Sequence, residues 1–305
     1  VNLMNKFYEI QIETENRCLL NCKHCSSIEM RQQRARGFSI DDIIRLLNLI
    51  NCPTHIYLTG GEPLLDDCLM SNVANLKNVS ENIDIGLFTT GILDFTNEVN
   101  CEYFQKLKLA GISDCYFSIY HTNPKIHDYI TNNKNSFDKT INTIYNLINI
   151  GIKVKIHLVL NKYNLNKIDE IINELACLGV DEIRILRLVC SGSAKSNWSD
   201  IGVSLEEQNN VIYKIIKNIN LYKTKITVSG FPEKISCRPF FNSKKCQGGS
   251  NVLYITYNGD IYPCACTKNV NSYLIGHITE LDKINSFIKE KEIIEYNEKC
   301  LNPIN

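Results

Sequence analysis

Between residue 7 and about residue 220 the chain alternates two hydrophobic patterns. Short runs rich in β-branched and aromatic residues read as strands: FYEIQIE (7–13), HIYLTG (55–60), IDIGLFTT (83–90), DCYFSIY (114–120), IKVKIHLVL (152–160) and DEIRILRLV (181–189). Between them apolar positions recur at helical spacing. Ser39 is placed to cap a helix through DDIIRLLNLI, with Asp41 and Asp42 in its first turn. Ser136 is placed to cap SFDKTINTIYNLINI, which Gly151 ends, and NKIDEIINELACLG ends likewise at Gly179. Val/Ile-rich strands alternating with helices predict parallel βα units with right-handed crossovers. Six such units are too few for a closed eight-stranded barrel. The expected fold is therefore α/β, a partial (β/α)6 barrel open on one side, with its chemistry at the C-terminal ends of the strands. An open dinucleotide-binding sheet is disfavoured, because the first loop carries cysteines instead of G-x-G-x-x-G. After residue 222 the pattern changes to a turn-rich, cysteine-rich stretch, with two strand-like segments around a turn at 257–260 and a charged helix over 280–299. The expected division is 1–222 and 223–305.

Composition narrows the classes. The 305 residues are 44% hydrophobic, ample for a core, and 33 basic residues balance 33 acidic ones. No basic surface for nucleic acid or an anionic membrane is indicated, and no apolar run approaches the roughly 18 residues of a membrane span. No signal peptide is visible, so the expected location is cytoplasmic. Fourteen cysteines in such a chain argue for metal ligation in a reducing compartment. Cys52, Cys68, Cys101, Cys115 and Cys177 lie scattered in apolar segments and read as small buried hydrophobes. Cys18, Cys22 and Cys25 do not: they form a C-x3-C-x2-C run directly after the first strand. An electron-carrying [4Fe–4S] cluster takes four thiolates. Three on one loop leave an iron open to another ligand.

This loop, with Thr59-Gly60-Gly61-Glu62-Pro63 ending the second strand, resembles the radical S-adenosylmethionine (SAM) superfamily, whose fold is a partial TIM-type barrel. The resemblance implies a [4Fe–4S] cluster on Cys18, Cys22 and Cys25 whose open iron chelates SAM. It implies that Thr59, Gly60, Gly61 and Glu62 meet the SAM amino group, and that His24 offers backbone to the adenine. Weaker matches follow at strand ends: Thr89-Thr90-Gly91, Ser118 near the ribose, Asn161, Arg184 or Arg187 toward the carboxylate, and the turn at Gly192. Tyr120-His121 departs from the family's Asp-Gly after Ser118.

The C-terminal stretch resembles the Twitch/SPASM modules of the same superfamily, in a hairpin running from Cys246 through Gly259 to Cys264. This implies one auxiliary [4Fe–4S] cluster on Cys237, Cys246, Cys264 and Cys300; a zinc site on the same thiols is the alternative. Cys266 is surplus. It is an alternative ligand, an inert thiol, or a free thiol that returns hydrogen to a substrate radical, a part Cys190 could also play. The resemblance favours modification of a ribosomally made peptide, by epimerisation or by a thioether or C–C crosslink, with a low-potential donor such as flavodoxin or ferredoxin. The strand beginning near residue 7 leaves no room before it for a leader-binding domain, which the compact epimerases also lack. The alternatives are a dehydrogenase of a sugar or aminocyclitol alcohol and a non-catalytic iron–sulfur or zinc-binding protein.

Overall fold

A computed structural model of the chain describes residues 9–32, 35–50, 54–95, 101–231, 248–249, 251–268 and 270–290. Among the described residues ten strands form one sheet: β1 Glu9–Glu15, β2 Thr54–Gly60, β3 Ile83–Thr89, β4 Ile112–Ser118, β5 Lys153–Val159, β6 Glu182–Leu186, β7 Lys225–Ser229, β8 Val252–Ile255, β9 Asp260–Tyr262 and β10 Gly276–His277. The helices between and after them are α1 Ile40–Ile50, α2 Leu69–Val79, α3 Cys101–Ala110, α4 Pro124–Thr131, α5 Ser136–Asn149, α6 Ile168–Ala176, α7 Ser193–Ile201, α8 Leu205–Lys217 and α9 Leu281–Glu290. The order is β10-β9-β8-β1-β2-β3-β4-β5-β6-β7. From β8 through β7 every neighbour pair is parallel, and β9 turns back antiparallel on β8. The expected partial barrel with a C-terminal hairpin and helix is thus present. Four strands after residue 222 belong to the same sheet: β7 extends it beyond β6 in parallel, β8 flanks β1 in parallel on the other side, and β9 and β10 continue it antiparallel.

Strand alternation gives the sheet two unlike faces. The even positions of β1, Ile10 and Ile12, point with Ile56, Leu58, Phe117, Ile156, Leu158, Ile183 and Ile185 into a core shared with the helices. Burying each such side chain contributes roughly 1.5–3 kcal/mol. The other face is polar, and its contacts skip strands, as only the concave side of a curved sheet allows. Tyr57 of β2 bonds Asp114 of β4 (3.1 Å), Tyr116 of β4 bonds Glu182 of β6 (2.7 Å), and Arg184 of β6 pairs with Glu9 of β1 (3.5 Å). At the strand starts His55 (3.0 Å) and Lys155 hold Asp114, and although burial raises that carboxyl's pKa, these two partners bring it far below its usual range. This network floors the barrel and leaves the opposite end open.

Helix ends follow the sequence with one exception. Ser39 caps α1 reciprocally with Asp42, and Gly151 and Gly179 end their helices at φ 75° and 82°. Ser136 does not cap α5. Asp128, in α4, takes the Asn135 N–H (2.6 Å), the Phe137 N–H (2.9 Å) and the Ser136 hydroxyl (2.9 Å). The scattered cysteines also need correction. Among those in the described residues only Cys115 is buried, inside β4, whereas Cys68, Cys101 and Cys177 sit at helix ends that face solvent. Cys52, Cys237, Cys246 and Cys300 lie outside the described residues.

Candidate active site

The loop after β1 is held from three sides. Asn21 and Lys23 donate backbone N–H groups to the last carbonyls of α4, Thr131 (3.1 Å) and Ile130 (2.9 Å). The first N–H of α7, from Ser193, bonds the Cys25 carbonyl at 2.9 Å, with Gly192 before it at φ 53°. A Cβ on Gly192 would stand 2.3 Å from that same carbonyl oxygen, so the close approach of α7 to the loop requires glycine. Arg31 donates to the Leu20 carbonyl (2.7 Å) and reaches the Cys25 Sγ (3.6 Å).

Gly60 and Gly61 close the fourth side. Gly61 N–H bonds the Glu15 carbonyl and Glu62 N–H the Arg17 carbonyl, both at 2.7 Å, which zips the end of β2 to the chain just before Cys18. Cβ atoms on the two glycines would stand 2.0 and 2.2 Å from those carbonyl oxygens. The glycines therefore serve chain-to-chain approach as well as exposing backbone to the cavity. Glu62 is fully buried. It accepts from both threonine hydroxyls (2.5 Å each), Thr90 N–H (2.7 Å) and Leu64 N–H (3.1 Å). Burial raises its pKa against those donors.

Above the floor lies a cavity of about 330 Å³. Cys18, Cys22 and Cys25 line it together with His24, Thr59, Gly60, Gly61, Ser118, Arg184, Arg187 and Cys266. Glu62, Asn161, Cys190 and Cys264 are not in its wall. Asn161, buried, instead organises the turn after β5, taking the Tyr163 N–H at 2.9 Å. Tyr120 fills the place of the missing Asp-Gly: its hydroxyl is within bonding reach of Ser118 and Cys22, and its ring meets His24 edge-on at 4.3 Å. Burial lowers the His24 pKa to about 4, leaving a neutral ring. Arg184 is engaged in the floor with Glu9 and Glu182, whereas Arg187, one residue past the end of β6, stands nearer the mouth.

The donor set fits an open-iron [4Fe–4S] cluster, since three soft thiols from one tethered loop converge on one cavity. Among the described residues no three of His, Cys, Asp and Glu close on a single-ion point, whereas cubane ligands sit on separate irons, farther apart. Burial pushes the Cys18 thiol up to about 11 and raises Cys22 as well, while Arg31 pulls both back toward the thiolate that iron binds. The sequence reading passed over Arg31, Glu13, Tyr254 and Lys268. The only signal was polarity at inward positions, as in the E-I-Q-I-E of β1. No helix among the described residues is long and apolar enough to cross a membrane.

Comparison with known proteins agrees with this geometry. Residues 12–175 match the radical SAM superfamily model, and residues 246–302 match an iron–sulfur cluster-binding domain of the SPASM type. A probable GTP 3′,8-cyclase of Sulfurisphaera tokodaii is 26% identical over 68% of this chain and 65% of its own. An AdoMet-dependent heme synthase of Nitratidesulfovibrio vulgaris is 22% identical over 83% of this chain and 72% of its own. Streptococcus suis SuiB bound to S-adenosylmethionine superposes with a TM-score of 0.69 at 16% identity, over 91% of this chain and 65% of SuiB. SuiB bound to its precursor peptide SuiA gives 0.66 at 17% identity, over 91% and 64%. The chain therefore spans about two thirds of the length of several of these proteins. With the cysteine loop, the glycine-built second strand end and the open barrel in place, the chain belongs to the radical SAM superfamily, as an enzyme with a SAM-binding [4Fe–4S] cluster and a C-terminal auxiliary iron–sulfur domain.

Proposed function

We propose that the protein epimerises a Cα centre in a ribosomally made peptide, with Cys266 as the hydrogen donor. The observation that carries this is the place of Cys266. Its residue lines the same cavity as Cys18, Cys22 and Cys25, whereas the neighbouring Cys264 does not. In this reading residues 1–222 supply the first six strands of the barrel, and 223–305 carry the auxiliary domain while lending β7 and β8 to the barrel sheet, with Cys237, Cys246, Cys264 and Cys300 as the auxiliary ligands. Thr59–Gly61, Ser118 and Arg187 form the SAM wall.

When bound, the cluster and SAM supply a 5′-deoxyadenosyl radical, which takes one hydrogen atom from the substrate Cα. The chain's own part is the return step. The Cys266 S–H bond breaks homolytically and its hydrogen forms the new Cα–H bond on the other face. The resulting thiyl takes up one electron, from a low-potential flavodoxin- or ferredoxin-type donor, and one proton. Holding the thiol and the substrate Cα in one cavity at a fixed orientation is what makes this transfer outrun solvent quenching. The fold shared with SuiB, a protein seen bound to its precursor peptide, supports a cavity mouth able to take an extended chain.

The test is turnover of a candidate peptide in D2O. Deuterium at one Cα with otherwise unchanged mass is expected. Cys266→Ala should still release 5′-deoxyadenosine but place no deuterium. A product two hydrogens lighter, carrying no deuterium, would mean a crosslink and would refute epimerisation.

A further inference from the structure

Lys268 is an unusual residue to find in a wall. It is 8% exposed and two residues beyond Cys266. Its ammonium donates to Glu13 Oε1 at 3.1 Å, to Ser27 Oγ at 2.5 Å and to the Tyr254 hydroxyl at 3.3 Å. Glu13 is 1% exposed and is fully used: Tyr254 donates to it at 2.5 Å, Ser27 at 3.2 Å and the Tyr257 N–H at 2.9 Å. Burial raises its pKa, but Lys268 and these donors outweigh burial and keep it ionised. Each member belongs to a different piece of chain. Glu13 is in β1, Ser27 is two residues past Cys25, Tyr254 is in β8, and Lys268 follows the Cys264–Cys266 turn.

A buried ion pair adds little net stability over a hydrophobic pair of the same shape. What it does add is geometric definition, because each partner tolerates only one arrangement. The turn it anchors is itself closed. Thr267 donates its N–H (3.1 Å) and its hydroxyl (2.9 Å) to the Cys264 carbonyl. Fixing Lys268 therefore fixes Cys266.

We propose that Lys268 is a positioning residue: by bridging Glu13, Ser27 and Tyr254 it straps the Cys264–Cys266 turn to the Cys18–Cys25 loop, and so sets where the Cys266 thiol stands in the cavity. The role in product formation rests on the epimerase reading above. The strap itself does not.

Two variants test it in the reconstituted full-length protein. Ser27→Ala removes the bonds that join the end of the cysteine loop to Lys268 and Glu13 and leaves the ion pair itself intact. The double variant Glu13→Gln with Lys268→Met removes both charges, so that neither is left buried alone. Site-resolved N-ethylmaleimide labelling of Cys266 should accelerate about tenfold in each, with faster amide exchange over 264–268 and unchanged exchange in β2–β5. With substrate, the ratio of 5′-deoxyadenosine released to deuterium placed should rise about tenfold, whereas simple loss of folded enzyme lowers both together. Labelling and exchange at wild-type values in Ser27→Ala overturn the proposal, as does faster exchange spread evenly over the sheet. Faster labelling in a protein whose wild type places no deuterium in any peptide upholds the strap and refutes the epimerase reading.

Discussion

Glu62 belongs to the motif that most plainly marks the site, yet its carboxylate is turned into the protein. Thr89, Thr90 and Leu64 occupy both oxygens, so it braces the ends of β2 and β3, and backbone at Thr59–Gly61 is what β2 presents to the cavity. Glu62→Gln would turn an amide N–H2 toward hydroxyl and N–H donors at a site with no solvent. A loss of about 2–3 kcal/mol is expected, read from anaerobic urea unfolding beside the wild type. An unshifted midpoint would count against the bracing role. The spacing of Thr59–Pro63 after the cysteine loop was enough to bring Thr59–Gly61 and the three cysteines to one cavity. The bonds of Glu62 were not legible, because its partners come from the next strand. The Glu13–Lys268 pair was still less so: it joins positions 255 residues apart, and no local pattern encodes that distance.

At the scale of elements, the cysteine loop depends on how α4 and α5 meet. The C-terminal carbonyls of α4 hold Asn21 and Lys23, and Asp128 in the same helix caps α5. Asp128→Ala removes three accepted bonds at one helix start. It should cost about 1–2 kcal/mol. Because α4 carries the loop, amide exchange at Asn21 and Lys23 should quicken as well, which hydrogen exchange with mass spectrometry would resolve. Equal protection in variant and wild type would show that the cap and the loop are independent. Strands and glycine-ended helices were readable because their signals are local: apolar alternation, and Gly151 and Gly179 at positive φ. The α5 cap was misread for the same reason. Ser136 is a good local candidate, but a carboxylate eight residues earlier reaches the free N–H groups first.

For the molecule as a whole, the consequence of strand alternation is a barrel with an apolar outside and an ionic inside. The outside was legible as Ile/Val-rich runs. The inside was not, because Glu9, Tyr57, Asp114, Tyr116, Glu182 and Arg184 look like solvent-facing positions until the sheet curves and makes them face one another. Glu182 is the joint where this interior meets the added strand β7. It takes the hydroxyls of Tyr116 (2.7 Å) and Thr227 (2.6 Å) and pairs with Lys225 at 3.0 Å. Burial acts to raise its pKa, but Arg184, followed by Thr227, Tyr116 and Lys225, overrides it and brings the group from 4.5 down to about 2. A carboxylate depressed on folding contributes stability that is complete above its unfolded pKa and disappears as pH falls toward the folded one. The full contribution is about 3 kcal/mol, of which about 2 kcal/mol should vanish between pH 5.5 and 3. Glu182→Gln lacks this proton linkage. Its stability deficit against the wild type, measured by denaturant unfolding across that range, should therefore be largest near pH 5.5 and shrink by that amount toward pH 3. A deficit that stays constant with pH would mean that folding leaves the Glu182 pKa unchanged, and that its contacts with Arg184, Thr227, Tyr116 and Lys225 do not favour the carboxylate.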